Sequence, residues 1–520
     1  MKTKQLFFCS LTGLALLTTS CSSNDEALNG GNGASNDGNT YAQIAISVAN
    51  SATTRTTTPG ETGDEAYGDD AEYTVNDLTV VLANENDIAM QVITPKMKTA
   101  TNTDEADDKL IRVTEPFKCT PGSYKVYVLA NYKNSQDALT PIIKGSTDMK
   151  AEFGITKIAK LSTTDEFFMT NTFDPKAQDI VEKGATGKEV DDAGKEMTDG
   201  KTNLNLLTVD VERAVSKVTF DNTDNQSFNV MVGDNKIATA TLEGASLINL
   251  NKKMYLVKGG RTATNKPAGV TDKWPYPMDP NYSQTSIDEV YCKANFEQRS
   301  ATVFPAPNTA TFYCPENTME ASAQLNGQTT GVVYKVKYAP VDGYYTELAK
   351  DGTDNYSQMF AKVLNLADKD EAITDKIFTE ATTADKADGT FYSYNGYVFK
   401  SKAAARLYKA IATTVGDAAD VNAAFKTNAN DVDIQTYKEG YCYYTAWIKH
   451  NPGGTTMQQD KYGVVRNFWY ELKVNNIKKL GYSKPTYKDP KDPDDKAEAS
   501  IQVQVKIKKW RLVKQNVDLE

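Results

Sequence analysis

Histidine is almost absent from this chain of 520 residues, which contains one, His450. A single imidazole excludes catalytic triads and metal sites that need two histidines, including those of the HExxH type. The sequence also lacks a nucleophile elbow and a Gly-rich cofactor loop. Its 68 acidic residues leave a carboxylate acid–base pair open, because no spacing singles one out. We therefore expect a protein that is not an enzyme and holds no cofactor.

Concentrated positive charge is also missing. The formal net charge is −10, and no block of Lys or Arg interrupts that balance. Nucleic-acid binding needs a basic face that displaces counterions, so we expect no nucleic-acid partner. The acidic segments 61–72 and 99–109 lack the Asp-x-Asp-x-Asp-Gly spacing of a calcium loop, so we expect solvated surface there rather than a metal site.

Cysteine is scarce, and its spacing carries no motif. Beyond the N-terminal region the chain has Cys119, Cys292, Cys314 and Cys442, none of them in a CxxC arrangement. A zinc ribbon is therefore not expected. In an exported protein some of these residues could pair as disulfides, and buried free thiols are the equal alternative.

The first 21 residues have the layout of an export signal. Lys2 and Lys4 precede an apolar stretch from Leu6 to Leu17, which is too short for a stable membrane-spanning helix. The stretch leads into a Thr-Thr-Ser-Cys run at Cys21, and a small residue before a Cys resembles a bacterial lipobox. We predict a signal peptide over residues 1–21 and acylation of Cys21, which would hold the precursor at a membrane surface. An ordinary secretory signal is the alternative.

An alternating segment follows a Gly-, Asn- and Ser-rich stretch at residues 27–40, which is typical of a flexible tether. Within residues 41–49, Ile44, Ile46 and Val48 fall on one face. Period-two alternation of this kind predicts a half-buried β-strand.

Arg55 lies just beyond this strand, in front of a Thr-, Gly- and Asp-rich loop that a protease could reach. The residue is either a surface arginine or a processing site. Processing there would remove residues 22–55, the predicted strand included, and leave Thr56 as the new N-terminus.

The chain ends in a second alternating segment. Residues 482–499 are rich in Pro, Asp and Lys, and we expect a linker there that does not pack. Beyond it, aliphatic residues alternate with Gln and Lys, and an apolar run continues towards the C-terminus. The apolar residues of this segment are Ile501, Val503, Val505, Ile507, Trp510 and Leu512. The segment is either the last strand of its own domain or a strand donated to another subunit, which would build an open filament.

The remainder of the chain favours strands. Its 28 Tyr and many Thr residues pack well on pleated sheets. Helical periodicity is found at residues 356–367 and 402–411, which we expect to form a small helical insertion. A chain of this length exceeds one ordinary hydrophobic core. The sequence thus predicts a mainly β protein of two or more domains.

Motifs spread in order over nearly the whole chain are similar to those of one protein family. They are PGSYKVYVLAN (121–131), FFMTN (167–171), VDVERAVSKVTF (209–220), LEGASLINLNKKMYLVK (242–258), FYCPENT (312–318), GQTTGVVYKVKY (327–338), GYCYYTAWIKHN (440–451), GVVRNFWYELKVNNIKKLG (463–481) and VKIKKWRLVKQNVDL (505–519). Each motif is weak alone, but the ordered set is specific. On these residues the chain resembles the fimbrillin family of Bacteroidota, most closely the shaft subunits of Mfa-type minor fimbriae.

The resemblance implies two transthyretin-like β-sandwich domains, with the helical insertion in the second. The expected segments are a signal peptide (1–21), a propeptide (22–55), an N-terminal domain (56–222), a C-terminal domain (223–485) and a linker with a donor strand (486–520). The resemblance also implies that an arginine-specific protease cuts after Arg55. The C-terminal strand of one subunit would then fill the groove vacated in the next.

The same resemblance implies a structural subunit of a cell-surface fimbria that supports adhesion, made from an outer-membrane lipoprotein precursor. Its partners would be other copies of itself and accessory fimbrial subunits, with host or bacterial surface receptors as further candidates. Two alternatives stay open. One is a monomeric surface lipoprotein that binds a glycan or a host protein, and the other is an anchor or tip accessory subunit.

N-terminal sequencing of the protein taken from the cell surface tests the processing hypothesis. We expect the mature chain to start at Thr56, because the exposed arginine before it would be cut. A blocked N-terminus at Cys21 would contradict this expectation and indicate a permanently anchored lipoprotein.

Overall fold

The protein is built mainly from β-strands, as its composition predicts. A computed structural model describes residues 40–48, 65–98, 110–182, 204–258, 276–298, 300–346, 376–377, 379–381, 383–427, 431–485, 489–495 and 500–511. The strands are β1 Thr40–Val48, β2 Glu65–Tyr67, β3 Leu78–Ala83, β4 Ala89–Ile93, β5 Leu110–Val113, β6 Phe117–Cys119, β7 Gly122–Ala130, β8 Phe153–Gly154, β9 Ser162–Thr163, β10 Glu166–Phe167, β11 Met169–Asn171, β12 Ala177–Ile180, β13 Asn205–Arg213, β14 Val215–Phe220, β15 Ser227–Val232, β16 Asn235–Ile248, β17 Leu250–Asn251, β18 Lys253–Met254, β19 Phe296–Glu297, β20 Thr311–Pro315, β21 Gly331–Pro340, β22 Phe391–Tyr394, β23 Tyr397–Phe399, β24 Gln435–Tyr437, β25 Tyr441–Trp447, β26 Phe468–Ile477 and β27 Ile501–Arg511. The helices are α1 Tyr132–Ser135, α2 Glu289–Asn295, α3 Lys402–Thr413 and α4 Ala418–Lys426.

The N-terminal strand β1 lies in the interior of a nine-stranded sheet. The order of this sheet is β4-β3-β7-β11-β13-β1-β5, with β12 beside β7 and β6 beside β1. β1 runs parallel to β13 on one edge and antiparallel to β6 and β5 on the other. The prediction of a half-buried strand is wrong, since both faces of β1 are largely covered. Its core-facing residues are Ala42, Ile44, Ile46 and Val48. On the other face, Ala45 packs against Val113 in a small separate cluster.

Two further sheets are formed by strands from Val215 onwards, together with the short N-terminal strand β2. A five-stranded sheet has the order β2-β27-β26-β14-β20, and a four-stranded sheet has the order β15-β16-β21-β25. They pack through apolar side chains such as Phe220 and Tyr334, whose ring centroids lie 6.0 Å apart. The chain changes from the nine-stranded to the five-stranded sheet at Ala214, between β13 and β14, whereas the sequence suggested a boundary after residue 222. One continuous apolar core runs through both halves.

A helical unit with its own apolar core lies within the second half. It combines α3 and α4 with the small sheet β23-β22-β24. α3 begins after Ser401, whose hydroxyl accepts a hydrogen bond from the N–H of Ala404 at 3.0 Å and so caps the helix. Leu407 of α3 and Phe425 of α4 are buried in this core. The helix predicted over residues 402–411 is confirmed, and the one predicted over 356–367 lies outside the described residues.

Part of the segment expected to be an unpacked linker is in fact packed. The N–H of Gly327 donates to the carbonyl of Pro490 at 2.8 Å, and the Thr329 hydroxyl donates to the fully buried Asp494 at 2.5 Å. Asp495 forms an ion pair with Lys461 at 2.8 Å. The expectation failed because these polar residues find fixed hydrogen-bond partners in the folded domain, which composition does not reveal. Burial also raises the pKa of Asp494 well above its usual value.

The four cysteines beyond the N-terminal region are buried thiols and form no disulfide. Burial raises the pKa of Cys119 and of Cys314 to about 12, so these thiols stay protonated at neutral pH. Among the described residues, no helix is long and apolar enough to cross a membrane.

Replacing Ile46 by Ala tests the contribution of β1 to the precursor. Ile46 is fully buried in the main core, so the lost methyl groups and the cavity should lower the free energy of unfolding by about 2–5 kcal/mol. Urea unfolding of the precursor followed by circular dichroism measures this. Ser47→Ala is the matched control, because the Ser47 hydroxyl is buried without a hydrogen-bond partner. Equal stability of the two variants would contradict the packing described here.

Candidate functional site

β1 fills a groove that is largely apolar but also buries two polar side chains of the strand, Thr40 and Gln43. We call the space between β13 and the β5–β6 edge the β1 groove. Gln43 is fully buried in it, and its side-chain amide donates to the Thr114 carbonyl at 2.9 Å. The N–H of Thr114 in turn donates to the carbonyl of Ile44 at 3.0 Å. A strand that occupies this groove therefore needs aliphatic side chains towards the core and a hydrogen-bond donor at the position of Gln43.

The C-terminal strand β27 lies in its own chain, in the five-stranded sheet. It pairs antiparallel with β26 from Ile501 to Lys509, and its last residues pair parallel with β2. The alternation read from the sequence is present: Ile501, Val505 and Ile507 are buried and Val503 is half-buried, while Gln502, Gln504 and Lys506 are exposed. The interpretation as a last strand of its own domain thus describes this arrangement. It leaves open what β27 does in an assembly.

Trp510 anchors the end of β27 between the two halves of the molecule. Its side chain is fully buried. The guanidinium of Arg213 lies 3.9 Å from the centre of the indole ring and donates to the Trp510 carbonyl at 2.8 Å. The ring of Tyr313 stacks on the indole with centroids 6.0 Å apart, and Phe167 meets it edge-on at 6.2 Å. A desolvated cation–π contact of this kind is worth about 2 kcal/mol.

Glu72 supplies the negative charge of the same site. It lies in a short 3-10 turn at Asp70–Glu72 that follows β2, and it is almost fully buried. Its carboxylate accepts hydrogen bonds from the Trp510 indole N–H at 2.8 Å and from the Lys217 ammonium at 2.6 Å. It also accepts from the Tyr313 hydroxyl and from the N–H of Asp69. The buried carboxylate is therefore fully hydrogen-bonded, which offsets its loss of hydration.

The backbone at Gly68 packs tightly against the indole ring of Trp510. A side chain at Gly68 would place its Cβ 2.4 Å from the Glu72 carboxylate and 2.7 Å from the indole nitrogen of Trp510. Glycine is thus required there for the close approach of the backbone. We call the set of Glu72, Arg213, Lys217, Tyr313 and Trp510 the Trp510 junction.

Successive residues at the end of β13 point to opposite sides and enter two buried charge clusters. Arg213 enters the Trp510 junction, where burial lowers its pKa to about 10 although Glu72 and Glu212 oppose the shift. Glu212 points the other way and pairs with Lys258 at 2.8 Å. Burial raises the pKa of Glu212 and Lys258 opposes that rise. The strand that borders the β1 groove thus ends in side chains that fix the junction between the two halves.

Two family models match the chain, and the matches include both terminal strands. Residues 42–265 match the model of the major fimbrial subunit protein FimA, and residues 435–516 match that of the major fimbrial subunit protein type IV, fimbrillin, C-terminal. The chain is a fimbrial subunit of the FimA and fimbrillin type. No curated protein sequence matches the chain.

Solved structures of fimbrial proteins resemble this fimbrial subunit distantly. A fimbrilin from Porphyromonas gingivalis is 13% identical, with 91% of this chain and 99% of that chain covered and a TM-score of 0.37. The tip fimbrial protein Mfa3 from the same organism, with a C-terminal truncation, is 12% identical, with 90% and 100% covered and a TM-score of 0.30. The two family models therefore identify the chain as a fimbrial subunit. The narrower resemblance to Mfa-type subunits stays a prediction.

The structure of the fimbrial subunit places only some of the predicted site residues. The apolar residues predicted for the C-terminal strand lie in β27 as far as Trp510, while Cys21, Arg55, Thr56 and Leu512 lie outside the described residues. The lone histidine, His450, is buried and its Nδ1 lies 2.7 Å from the Tyr470 hydroxyl. In the described ranges, no group of three acidic, Cys or His side chains could hold a metal ion.

The Trp510 junction was missed by the sequence interpretation, although a signal existed. The motif VDVERAVSKVTF (209–220) places Glu212, Arg213 and Lys217 inside an otherwise apolar run. Charges within a strand of this kind must be paired when they are buried. Glu72, which supplies the counter-charge for Arg213 and Lys217, is far away in the sequence, in a loop that composition alone describes as solvated.

Glu72→Gln tests the junction in the fimbrial subunit. The neutral amide keeps the shape but leaves Lys217 and Arg213 without their buried counter-charge, so we expect a loss of about 3–5 kcal/mol in the free energy of unfolding. Urea unfolding followed by circular dichroism measures the loss. Glu152→Gln, which removes the exposed ion pair with Lys253, is the control and should cost less than about 1 kcal/mol. A loss for Glu72→Gln no larger than the control would show that the buried charge is dispensable.

Proposed function

We propose that this subunit forms the shaft of its fimbria by exchange of terminal strands. A lipoprotein precursor, acylated at Cys21 and held at the outer membrane, is cut after Arg55. The mature chain starts at Thr56 and lacks β1. The vacated β1 groove then receives the C-terminal strand of a neighbouring copy, whose Ile501, Val503, Val505 and Ile507 replace the aliphatic residues of β1.

The arrangement of β1 carries this proposal. Three fully buried aliphatic residues, Ile44, Ile46 and Val48, together contribute about 4–9 kcal/mol at 1.5–3 kcal/mol each. Removal of β1 would expose their contact surfaces and the unpaired backbone groups of β13, β5 and β6. Such an edge is a template for an added strand. A subunit without β1 is therefore incomplete until a strand from elsewhere pairs with it.

β27 has the chemistry that the groove demands. Like β1 it presents four alternating aliphatic positions on one face, and in its own sheet it pairs with β26 and with the three residues of β2. Its transfer exchanges one strand pairing for another, so the apolar side chains stay buried before and after. The cost lies in opening the Trp510 junction, which holds β27 in its own chain until a vacant groove is offered.

Donation from one copy to the next is a heterologous contact. The donor surface of each subunit differs from its acceptor surface, so the chain of contacts does not close and gives a filament. Accessory fimbrial subunits would enter the same filament by offering either a groove or a donor strand. Adhesion to host or bacterial surface receptors would then be a property of the exposed faces of the filament.

Arg55→Ala tests the proposal. We expect the variant precursor to reach the cell surface but to form no SDS-resistant multimers, because β1 stays in its groove. Gel electrophoresis without boiling and electron microscopy of the surface fraction measure assembly. Thr53→Ala, which keeps the arginine, is the control and should assemble as the wild type does. Normal filaments from Arg55→Ala would overturn the processing step.

A further inference from the structure

We infer that the donated β27 enters the β1 groove parallel to β13, with Ile501 at the position of Ala42. In this register Gln502 takes the place of Gln43 under the Thr114 carbonyl. The inference deepens the proposed function and rests on it, because it specifies how a second copy of this chain is recognised. Two properties of the groove lead to it, namely the number of its apolar positions and the location of the buried glutamine.

The apolar positions, together with the buried glutamine, restrict the alignments to two. β1 points four residues into the core, at 42, 44, 46 and 48, and all four are fully buried. β27 offers four aliphatic residues at the same period, at 501, 503, 505 and 507. They fill all four positions in one parallel and one antiparallel alignment. A shift by two residues that turns Lys509 inward buries a charge, and in the antiparallel case a shift that turns Ala499 inward leaves a cavity at the position of Val48. In the parallel case Ala499 would fit at the position of Ala42, but Ser500 would then take the place of Gln43, where its shorter side chain leaves the Thr114 carbonyl without a donor.

The polar position decides between the two alignments. Gln43 is fully buried, and its amide satisfies the Thr114 carbonyl at 2.9 Å. The parallel alignment places Gln502 there, with the same amide at the end of the same side chain. The antiparallel alignment places Lys506 there, so that a charged group would be buried opposite a single carbonyl. A buried amide in an apolar seam is a known way to fix register.

Charge on the outer face agrees with the parallel alignment. Ser47 is paired with Asp210 of β13, and Asp210 is exposed. The parallel alignment puts Lys506 at the position of Ser47, beside this carboxylate. Opposite charges on adjacent strands favour the pairing. The antiparallel alignment would instead put Gln502 there.

Two core positions receive a larger side chain in this register. Ile501 adds three carbons at Ala42, which is paired with Phe117 near the end of the groove. Val503 and Val505, at the positions of Ile44 and Ile46, each remove one carbon from the adjoining core. Ile507 adds one carbon at the position of Val48, so the two valines offset about half of the carbons added along this face, and the core must accommodate the remainder.

Disulfide trapping in assembled filaments tests the register. Ser47 is paired with Ile111 of β5 in an antiparallel ladder, where Cα atoms lie about 4.5–5.5 Å apart, within the range for a disulfide. A Cys at Ile111 is combined in turn with a Cys at Ser500, Gln502, Gln504 or Lys506, which are exposed or half-buried in the monomer. Filaments are oxidised, boiled without reductant and separated by electrophoresis. Mass spectrometry of the linked peptides distinguishes the new bonds from any formed by native cysteines.

We expect covalent multimers from the Ile111→Cys, Lys506→Cys variant and none from the other three. A bond at Gln502→Cys would indicate the antiparallel alignment, and one at Ser500→Cys or Gln504→Cys a shifted one. Each of these overturns the register but leaves strand donation intact. Filaments without a bond in any of the four variants would place β27 outside the groove. Variants and wild type that form no filaments at all after processing would refute the proposed function itself.

The buried amide has its own test. Gln502→Leu removes the donor for the Thr114 carbonyl and should lower the rate of assembly on the order of tenfold. Gln504→Leu is the matched control: Gln504 would take the covered, apolar position of Ala45, where Leu costs no more to bury than Gln, so this variant should assemble at the wild-type rate or faster. Both glutamines are exposed in the monomer, so neither change should unfold it. A larger defect in Gln504→Leu than in Gln502→Leu would overturn the inference.

Discussion

The contact between Trp510 and the buried ion cluster around it is the constraint on which the rest of the molecule depends. Through it the last described strand is held by side chains from both halves of the chain. Arg213 comes from the nine-stranded sheet, Lys217 and Tyr313 from the five-stranded sheet, and Glu72 from the segment that joins β2 to β3. These elements cannot shift relative to one another without leaving a buried charge unpaired, which is far costlier than the loss of an apolar contact.

The same junction links the two ends of the chain through β13. Residues 205–211 of this strand pair with β1, and Arg213, two residues further, holds Trp510. The strand that lines the β1 groove is thus also the strand that retains β27. Under the proposed strand exchange, β13 would couple the two events, because it contacts both the strand that is removed and the strand that is donated.

Buried charges also explain why the two halves pack in one defined geometry, which apolar contacts alone would not fix. An apolar seam tolerates small displacements, whereas the carboxylate of Glu72 accepts hydrogen bonds from four donors in fixed directions. The second cluster, in which Glu212 meets Lys258 and Arg466 meets Glu316 at 3.2 Å, adds the same kind of directionality. Together they fix the geometry of β13 at the point where the chain changes sheets.

Local patterns in the sequence determined the existence and type of the main elements. Alternating aliphatic residues predicted β1 and β27, and the stripe of Ala404, Leu407 and Tyr408 predicted α3, because side-chain period follows directly from backbone geometry. Local pattern could not determine which neighbours a strand would have. The sequence pattern therefore predicted a half-buried β1, although residues distant in the sequence cover both of its faces. It also predicted that residues 489–495 do not pack, although distant residues hydrogen-bond to them.

Some features of the candidate site could likewise be predicted from the sequence, and others depended on the tertiary structure. The sequence by itself determined that the two end segments are strands of similar alternation, and the ordered motifs pointed to fimbrillins. The tertiary structure alone decided that the Gln43 amide is buried in the groove and that Glu72 meets Trp510 across 438 residues of sequence. Such pairings depend on where the folded sheets bring distant residues together and on the need of each buried charge for a partner, and neither is a property of any short stretch of chain.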